Sequence, residues 1–277
     1  MNKHPYNRFE DRIVRCLAEM PLDYNEQLAF IQQKKTQGKN WASAAVLVLL
    51  GKYGKEKSKL NRYFFLLNKR SVHVQQPGDL CFPGGHPNRW IDPFTSRLIH
   101  FGALFAKSGS AYRMLRRRNR ETLKSVIYFL GNSLRESYEE IHLNPFKVVF
   151  LGALQSYRLD LFQRVIFPMV GIVNADIQTR PNWEVERIIK IPLSDLLTPE
   201  NYSVYNLAVT DRFRSVYQTD CVKFDCFVHR EKGQKNEILW GASYQIVQSF
   251  LRAVFDFDPP EQHLRPVIED ELYPDIT

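Results

Sequence analysis

The sequence predicts an α/β protein, and three observations carry that expectation. Residues 42–50, 148–154 and 164–173 are apolar runs of strand length rich in β-branched side chains. Among them stand segments whose apolar residues recur at helical spacing, notably 133–141 and 242–254. The composition, 44% apolar and 13% aromatic over 277 residues, supplies a full core for one elaborated domain or two small ones.

In chain order, residues 1–40 read as an N-terminal helical extension. Ile13, Val14, Leu17 and Met20 recur at helical spacing before Pro21, and Leu28 and Ile31 mark a second short helix. The main domain is expected over 41–255. It opens with β-rich runs at 42–50 and 63–68, joined by a charged, glycine-containing segment with the character of a hairpin loop. A short strand at 79–82 leads into Pro83-Gly84-Gly85. Residues 86–130 break the pattern and read as a helical insertion, a polar loop rich in Pro and aromatics followed by a basic helix over about 111–129. An acidic helix at about 133–141 comes next, then strands at 148–154, 164–173 and 186–191. A helical turn opens at Pro192, a late hairpin pairs 225–229 with 238–240, and an amphipathic helix covers 242–254. The tail, 256–277, holds Pro259, Pro260, Pro266 and Pro274 with seven acids and one Arg, and is expected to be irregular. There is no internal repeat.

Composition also narrows the function. The longest apolar run is about half of the roughly 20 residues that cross a bilayer, so no membrane span is expected. The N-terminus has no apolar segment ahead of a small-residue cleavage site, which points to a cytoplasmic protein. Cys16, Cys81, Cys221 and Cys226 match neither a zinc ribbon nor a redox pair and read as buried, inert thiols. The net charge of +8 is local: residues 85–130 hold nine Lys or Arg against two acids, +7 of the total. A surface that attracts nucleic acid everywhere is therefore not implied.

The segment Arg135-Glu136-Ser137-Tyr138-Glu139-Glu140 is the chemical focus. On a helix, Glu136, Glu139 and Glu140 share one face while Leu134, Tyr138 and Ile141 turn toward a core. Like charges so spaced repel. They make either a solvated face, partly neutralised by Arg135, or a site where a hard cation offsets the repulsion. Adjacent glycines after a strand, Gly84-Gly85, permit close approach of the backbone to a ligand or metal.

These segments together resemble the Nudix hydrolases, and specifically the branch associated with coenzyme A pyrophosphatases. Leu66 through Ser71 and Pro77-Gly78-Asp79-Leu80-Cys81-Phe82-Pro83-Gly84-Gly85 resemble that branch's signature ahead of its Nudix box. The Arg135 to Glu140 segment matches the helical half of the box. Phe150 through Leu154, Phe167 through Gly171, Trp183 through Leu197 and Leu239 through Ala242 follow in the expected order, so that the likeness covers roughly 42–254. It implies a Nudix-type α/β/α sandwich with a mixed β-sheet, and hydrolysis of a pyrophosphate by water activated on Mg2+ or Mn2+. Carried over, Glu139 and Glu140 are metal ligands, Glu136 a ligand or water-orienting base, and Gly85 a carbonyl ligand. Arg135 holds the glutamates in place. Lys69 and Arg70, at a strand end, are expected phosphate contacts for a nucleoside diphosphate substrate.

The chain departs from the family pattern in definite places. Gly85 and Arg135 are 50 residues apart, so an insertion of about 36 residues lies inside the box. Ile127 stands where a glutamate is usual, His142 where a glycine usually closes the helix, Gln76 where a histidine is expected before Gly78, and Asp79 where a glutamine is usual after it. The basic run 113–120 reads either as a solvated face or as an arm over the active site, with Arg116 and Arg117 contacting a substrate phosphate or an RNA backbone. The departures also motivate an alternative to an active enzyme, a nucleotide- or RNA-binding regulatory protein.

Overall fold

The computed structural model describes residues 8–54, 60–88, 109–118, 120–174, 176–209, 219–231, 233 and 235–270. The polar loop of the expected insertion lies mostly at 89–108, outside the described residues. The architecture is α/β, with a large mixed sheet, a smaller second sheet and helices packed against them.

The large sheet is built on β1 (Ala42–Lys52) and β7 (Arg164–Asn174), which pair in parallel along their whole length, Ala42 opposite Arg164 and Lys52 opposite Asn174. Both are apolar on both faces, as strands covered on two sides must be. On the far side of β1 lie β2 (Tyr63–Arg70) and β3 (Leu80–Cys81), and β8 (Val185–Pro192) also pairs with β2. Beyond β7 come β5 (Val149–Ala153) and β6 (Tyr157–Leu159). The two-residue β4 (Gly84–Gly85) pairs antiparallel with β1.

Helices α1 (Arg8–Glu19) and α2 (Tyr24–Thr36) form the extension. Ile13, Val14 and Leu17 are buried, and α1 packs on β5. The Tyr24 hydroxyl lies 2.9 Å from the Leu154 carbonyl and 3.1 Å from that of Pro168, tying α2 to the sheet. Short α3 (Ser110–Arg118) is followed by α4 (Arg120–Ile141), a helix of 22 residues. The expected boundary between a basic and an acidic helix is therefore not where the sequence placed it. Gly131, Asn132 and Ser133 are weak helix formers, and they read as a break. Burial overrides them: Leu123, Val126, Leu130, Leu134 and Ile141 form one stripe in phase across the whole helix. Phe129 stacks on Phe167 at 3.9 Å, and Tyr24 meets both rings edge-on. Tyr138 departs from expectation, being 54% exposed on the solvent side.

After α5 (Leu193–Leu196), strands β9 (Tyr202–Ala208), β10 (Cys221–His229) and β11 (Glu237–Trp240) build the second sheet, and α6 (Gly241–Phe255) packs on it. The hairpin of β10 and β11 is where the sequence placed it. The tail is not wholly irregular: β12 (Val267–Asp270) pairs in parallel with β9 at the sheet edge. An edge strand has one neighbour, so Pro266 immediately before it costs no ladder bond. Arg265 anchors the return through Asp225 at 2.9 Å and the Pro260 carbonyl. Of the thiols, Cys226 is buried but Cys221 is exposed, contrary to expectation, and all four cysteines are unpaired. No helix among the described residues is long and apolar enough to cross a membrane.

Candidate active site

The site forms where β4 meets α4. Pairing of Val46 with Gly84 and Ala45 with Gly85 draws β4 tightly onto β1. A Cβ on Gly84 would stand 2.2 Å from the Ala45 carbonyl oxygen, so no side chain fits there. A Cβ on Gly85 would stand 2.6–2.7 Å from the Glu136 carboxylate. The two glycines thus let the strand end and the glutamate helix converge, which is the arrangement their spacing along the chain left open. Gly85→Ala should keep the fold, because only the end of a side chain must move, but displace Glu136. If Glu136 contributes to a cation site, calorimetric titration with Mn2+ should show affinity about tenfold or more weaker in the variant; unchanged affinity would show that the glycine–glutamate contact plays no part in cation binding.

Glu136 and Glu140 line a cavity of about 360 Å3 together with Asn68, Arg70, Arg164 and Glu184. The Asn68 amide donates to Glu140 at 2.8 Å, and the Gly84 N–H approaches its other oxygen at 3.5 Å. Burial raises the Glu140 pKa to about 8; Glu136 and Glu184 add to the rise, while the Gly84 N–H and Arg70 oppose it. Arg135 bridges Glu136 at 2.7 Å and Glu139 at 2.8 Å and reaches the His86 carbonyl at 3.1 Å, which ties the helix to the residue after the glycines.

The helix end is held from outside. His142 takes a left-handed conformation, φ 52°, and the Leu143 N–H donates to Ser137, so the cap forms without glycine. Arg180 and Asn182 donate their N–H groups to the carbonyls of Ile141 and Glu140. That loop also delivers Glu184 to the cavity.

The remaining expected residues fall elsewhere. Glu139 is 49% exposed and turned toward Arg135 rather than into the cavity. Lys69 does not line it. Side chains alternate along a strand, so Asn68 and Arg70 face the cavity while Lys69 pairs with Glu237 at 3.0 Å and Glu186 at 3.6 Å. Arg116 and Arg117 are exposed on α3, which packs against α1 and β5, and neither is among the cavity residues. Ile127 is buried in the core. No group of three His, Cys, Asp or Glu side chains among the described residues is placed to hold a metal ion.

Asn68 and Arg164 were missed by sequence reasoning. Each is a polar residue at the end of an apolar run, Asn68 after Tyr63 to Leu67 and Arg164 before Val165 to Val173, a signal visible in the sequence but shared by many strand ends. Cys81 also lines the cavity, and burial pushes its thiol up to about 12, as suits an inert group.

No family model and no curated protein sequence matches the chain. Among solved structures it is similar to a Nudix hydrolase from M. smegmatis, RenU, at 13% identity and a TM-score of 0.34, over 56% of this chain and 73% of that one. A C. elegans Ap4A hydrolase matches at 14% identity and a TM-score of 0.34, over 56% and 83%. A MutT/nudix family protein from Enterococcus faecalis matches at 12% identity and a TM-score of 0.39, over 91% and 75%. These structural neighbours are Nudix proteins, but scores below 0.5 assign neither family nor activity to the chain.

Proposed function

We propose that this chain is a Nudix-type hydrolase of the coenzyme A pyrophosphatase branch, working in the cytosol. It uses Mg2+ or Mn2+ to cleave the pyrophosphate linkage of coenzyme A, an acyl-CoA or a related nucleoside diphosphate derivative. The observation that carries this reading is the convergence of Gly84-Gly85 with Glu136 and Glu140 on one cavity that also contains Arg70.

The donor chemistry fits a hard divalent cation. Glu136, Glu140 and the Gly85 carbonyl would offer oxygen ligands of the kind magnesium prefers, with water and substrate oxygens filling the other positions, and a cation would offset the charge of the carboxylates that line the cavity. Glu139, which the resemblance implies as a further ligand, would have to leave Arg135 to join them. A bound cation there lowers the pKa of water and neutralises charge developing on phosphoryl oxygens. Arg135, which pairs with Glu136 at 2.7 Å, would fix its orientation, and Glu136 would align the attacking water and accept its proton. Arg70 holds the phosphate oxygens. Attack on one phosphorus breaks its bond to the bridging oxygen and yields two monophosphates.

A second reading, a nucleotide- or RNA-binding protein without efficient catalysis, is favoured by the outward turn of Glu139 and by Ile127 packed in the core where the family has a carboxylate. Incubation with coenzyme A, NAD, ADP-ribose and dinucleoside polyphosphates separates the two. The enzyme reading expects cleavage of a pyrophosphate linkage in at least one of these with Mg2+ or Mn2+ and none with chelator. Binding without cleavage across the panel would replace it with the second reading.

A further inference from the structure

We infer that Arg164 is a substrate-binding residue that shares with Arg70 the anchoring of a phosphate group in the candidate active-site cavity. This inference rests on the reading of that cavity as a site for a pyrophosphate-containing molecule.

Arg164 is the first residue of β7, a strand otherwise apolar until Asn174. Its Nε is buried and has no hydrogen-bond partner among the described residues. Several other sheltered cations among the described residues are matched with carboxylates, Lys52 with Glu10, Lys69 with Glu237 and Arg265 with Asp225, and although the Arg62 Nε is also buried without a partner, Arg62 does not line the cavity. Arg164 instead has Arg70 as its charged neighbour, and burial together with that neighbour lowers its pKa. A partly buried guanidinium with a second one beside it is costly unless an anion joins them.

Arg70 spends its Nε on the Gln75 carbonyl at 2.7 Å, which fixes the plane of its guanidinium at the cavity. Arg70 and Arg164 are the cavity's arginines, set in the same lining as Glu136, Glu140 and Glu184. A site meant for a cation alone has no use for them. A site that must bring a polyanion next to carboxylates needs fixed positive charge, and the guanidinium fork matches phosphate oxygens in pairs. The ligand chemistry is therefore a phosphate of a diphosphate, with one anion shared between two arginines.

The test is calorimetric titration with sodium pyrophosphate in EDTA at low salt, using the full chain. Wild-type protein should bind, and Arg164→Gln and Arg70→Gln should each weaken binding about tenfold or more. The double variant should lose less than the product of the two, because both arginines hold one ion. Arg164→Lys keeps the charge without the fork and should be about threefold to tenfold weaker; if Arg164→Gln does not fold, the lysine variant carries the comparison. Affinity within twofold of wild type in Arg164→Gln, or no pyrophosphate binding by the wild type, would overturn the inference. The hydrolase reading fails separately: weakened pyrophosphate binding in the variants with no metal-dependent cleavage by the wild type would leave the anchor standing and remove the enzyme. Conversely, cleavage with an unchanged KM in Arg164→Gln would remove the anchor and leave the enzyme.

Discussion

Glu140→Gln is expected to lower metal-dependent hydrolysis at least about a hundredfold, given that outer partners of metal sites are alone worth about 10–100-fold. The same change should stabilise the metal-free protein at alkaline pH. The Glu140 carboxyl has a folded-state pKa of about 8 against an ordinary 4.5. For a group whose pKa is raised by folding, its contribution to stability is complete below the unfolded value and is lost as pH rises through the folded one. Between about pH 4.5 and pH 8 the unfolded chain ionises more readily, and above pH 8 the folded chain holds a sheltered negative charge near Glu136 and Glu184. A glutamine removes that penalty. In EDTA at pH 9 the variant should therefore be more stable, on the order of 2–3 kcal/mol after allowance for water in the cavity, and the advantage should vanish at pH 4. Urea denaturation at the two pH values measures it. Adding Mn2+ should raise the melting temperature of the wild type but not of the variant. Equal stability of both proteins at pH 9 would show that Glu140 is well solvated.

The second large effect concerns stability away from the cavity. Glu237 on β11 is buried, with its side chain 6% exposed, and its carboxylate receives Lys69 from β2 and Arg187 from β8. These contacts join the two sheets. Glu237→Ala leaves two cations facing each other across that junction and should cost about 3 kcal/mol, the toll for breaking a sheltered ion pair from one side. The denaturation midpoint should fall without a change in slope. Replacing the pair together, as in Lys69→Met with Glu237→Leu, should recover much of the loss, since burying ions is itself expensive. A loss below about 1 kcal/mol would mean that the cluster behaves as a surface pair. Lys69 acts in this junction and not at the cavity, so Lys69→Met is expected to change stability and leave phosphate binding in place.

Legibility of the fold followed the range of the interactions that decide each element. Strands β1 and β7 were readable because each is a long apolar run whose partner does not alter its identity. Strand β9 was not identified in the sequence, and β12 was read as irregular, because β12 exists only through its pairing with β9. The same range effect sets the length of α4. Gly131-Asn132-Ser133 disfavours helix locally, and only the sheet beneath supplies the burial that carries the helix through.

For the site, residue type and spacing show the chemical parts: two glycines at a strand end and the Arg135 to Glu140 segment with its glutamates on one helical face. Long-range packing chooses which parts meet. It set Glu136 against Gly85 across a separation of 51 residues in the chain, turned Glu139 outward, and brought Arg164 into the cavity. It also sent Lys69 to the opposite side of β2, because strand alternation divides neighbours between two faces and the pairing of β2 with its neighbours chooses which face is which. Residue type and local spacing fix the chemistry a segment can offer, while long-range register fixes the direction in which it is offered.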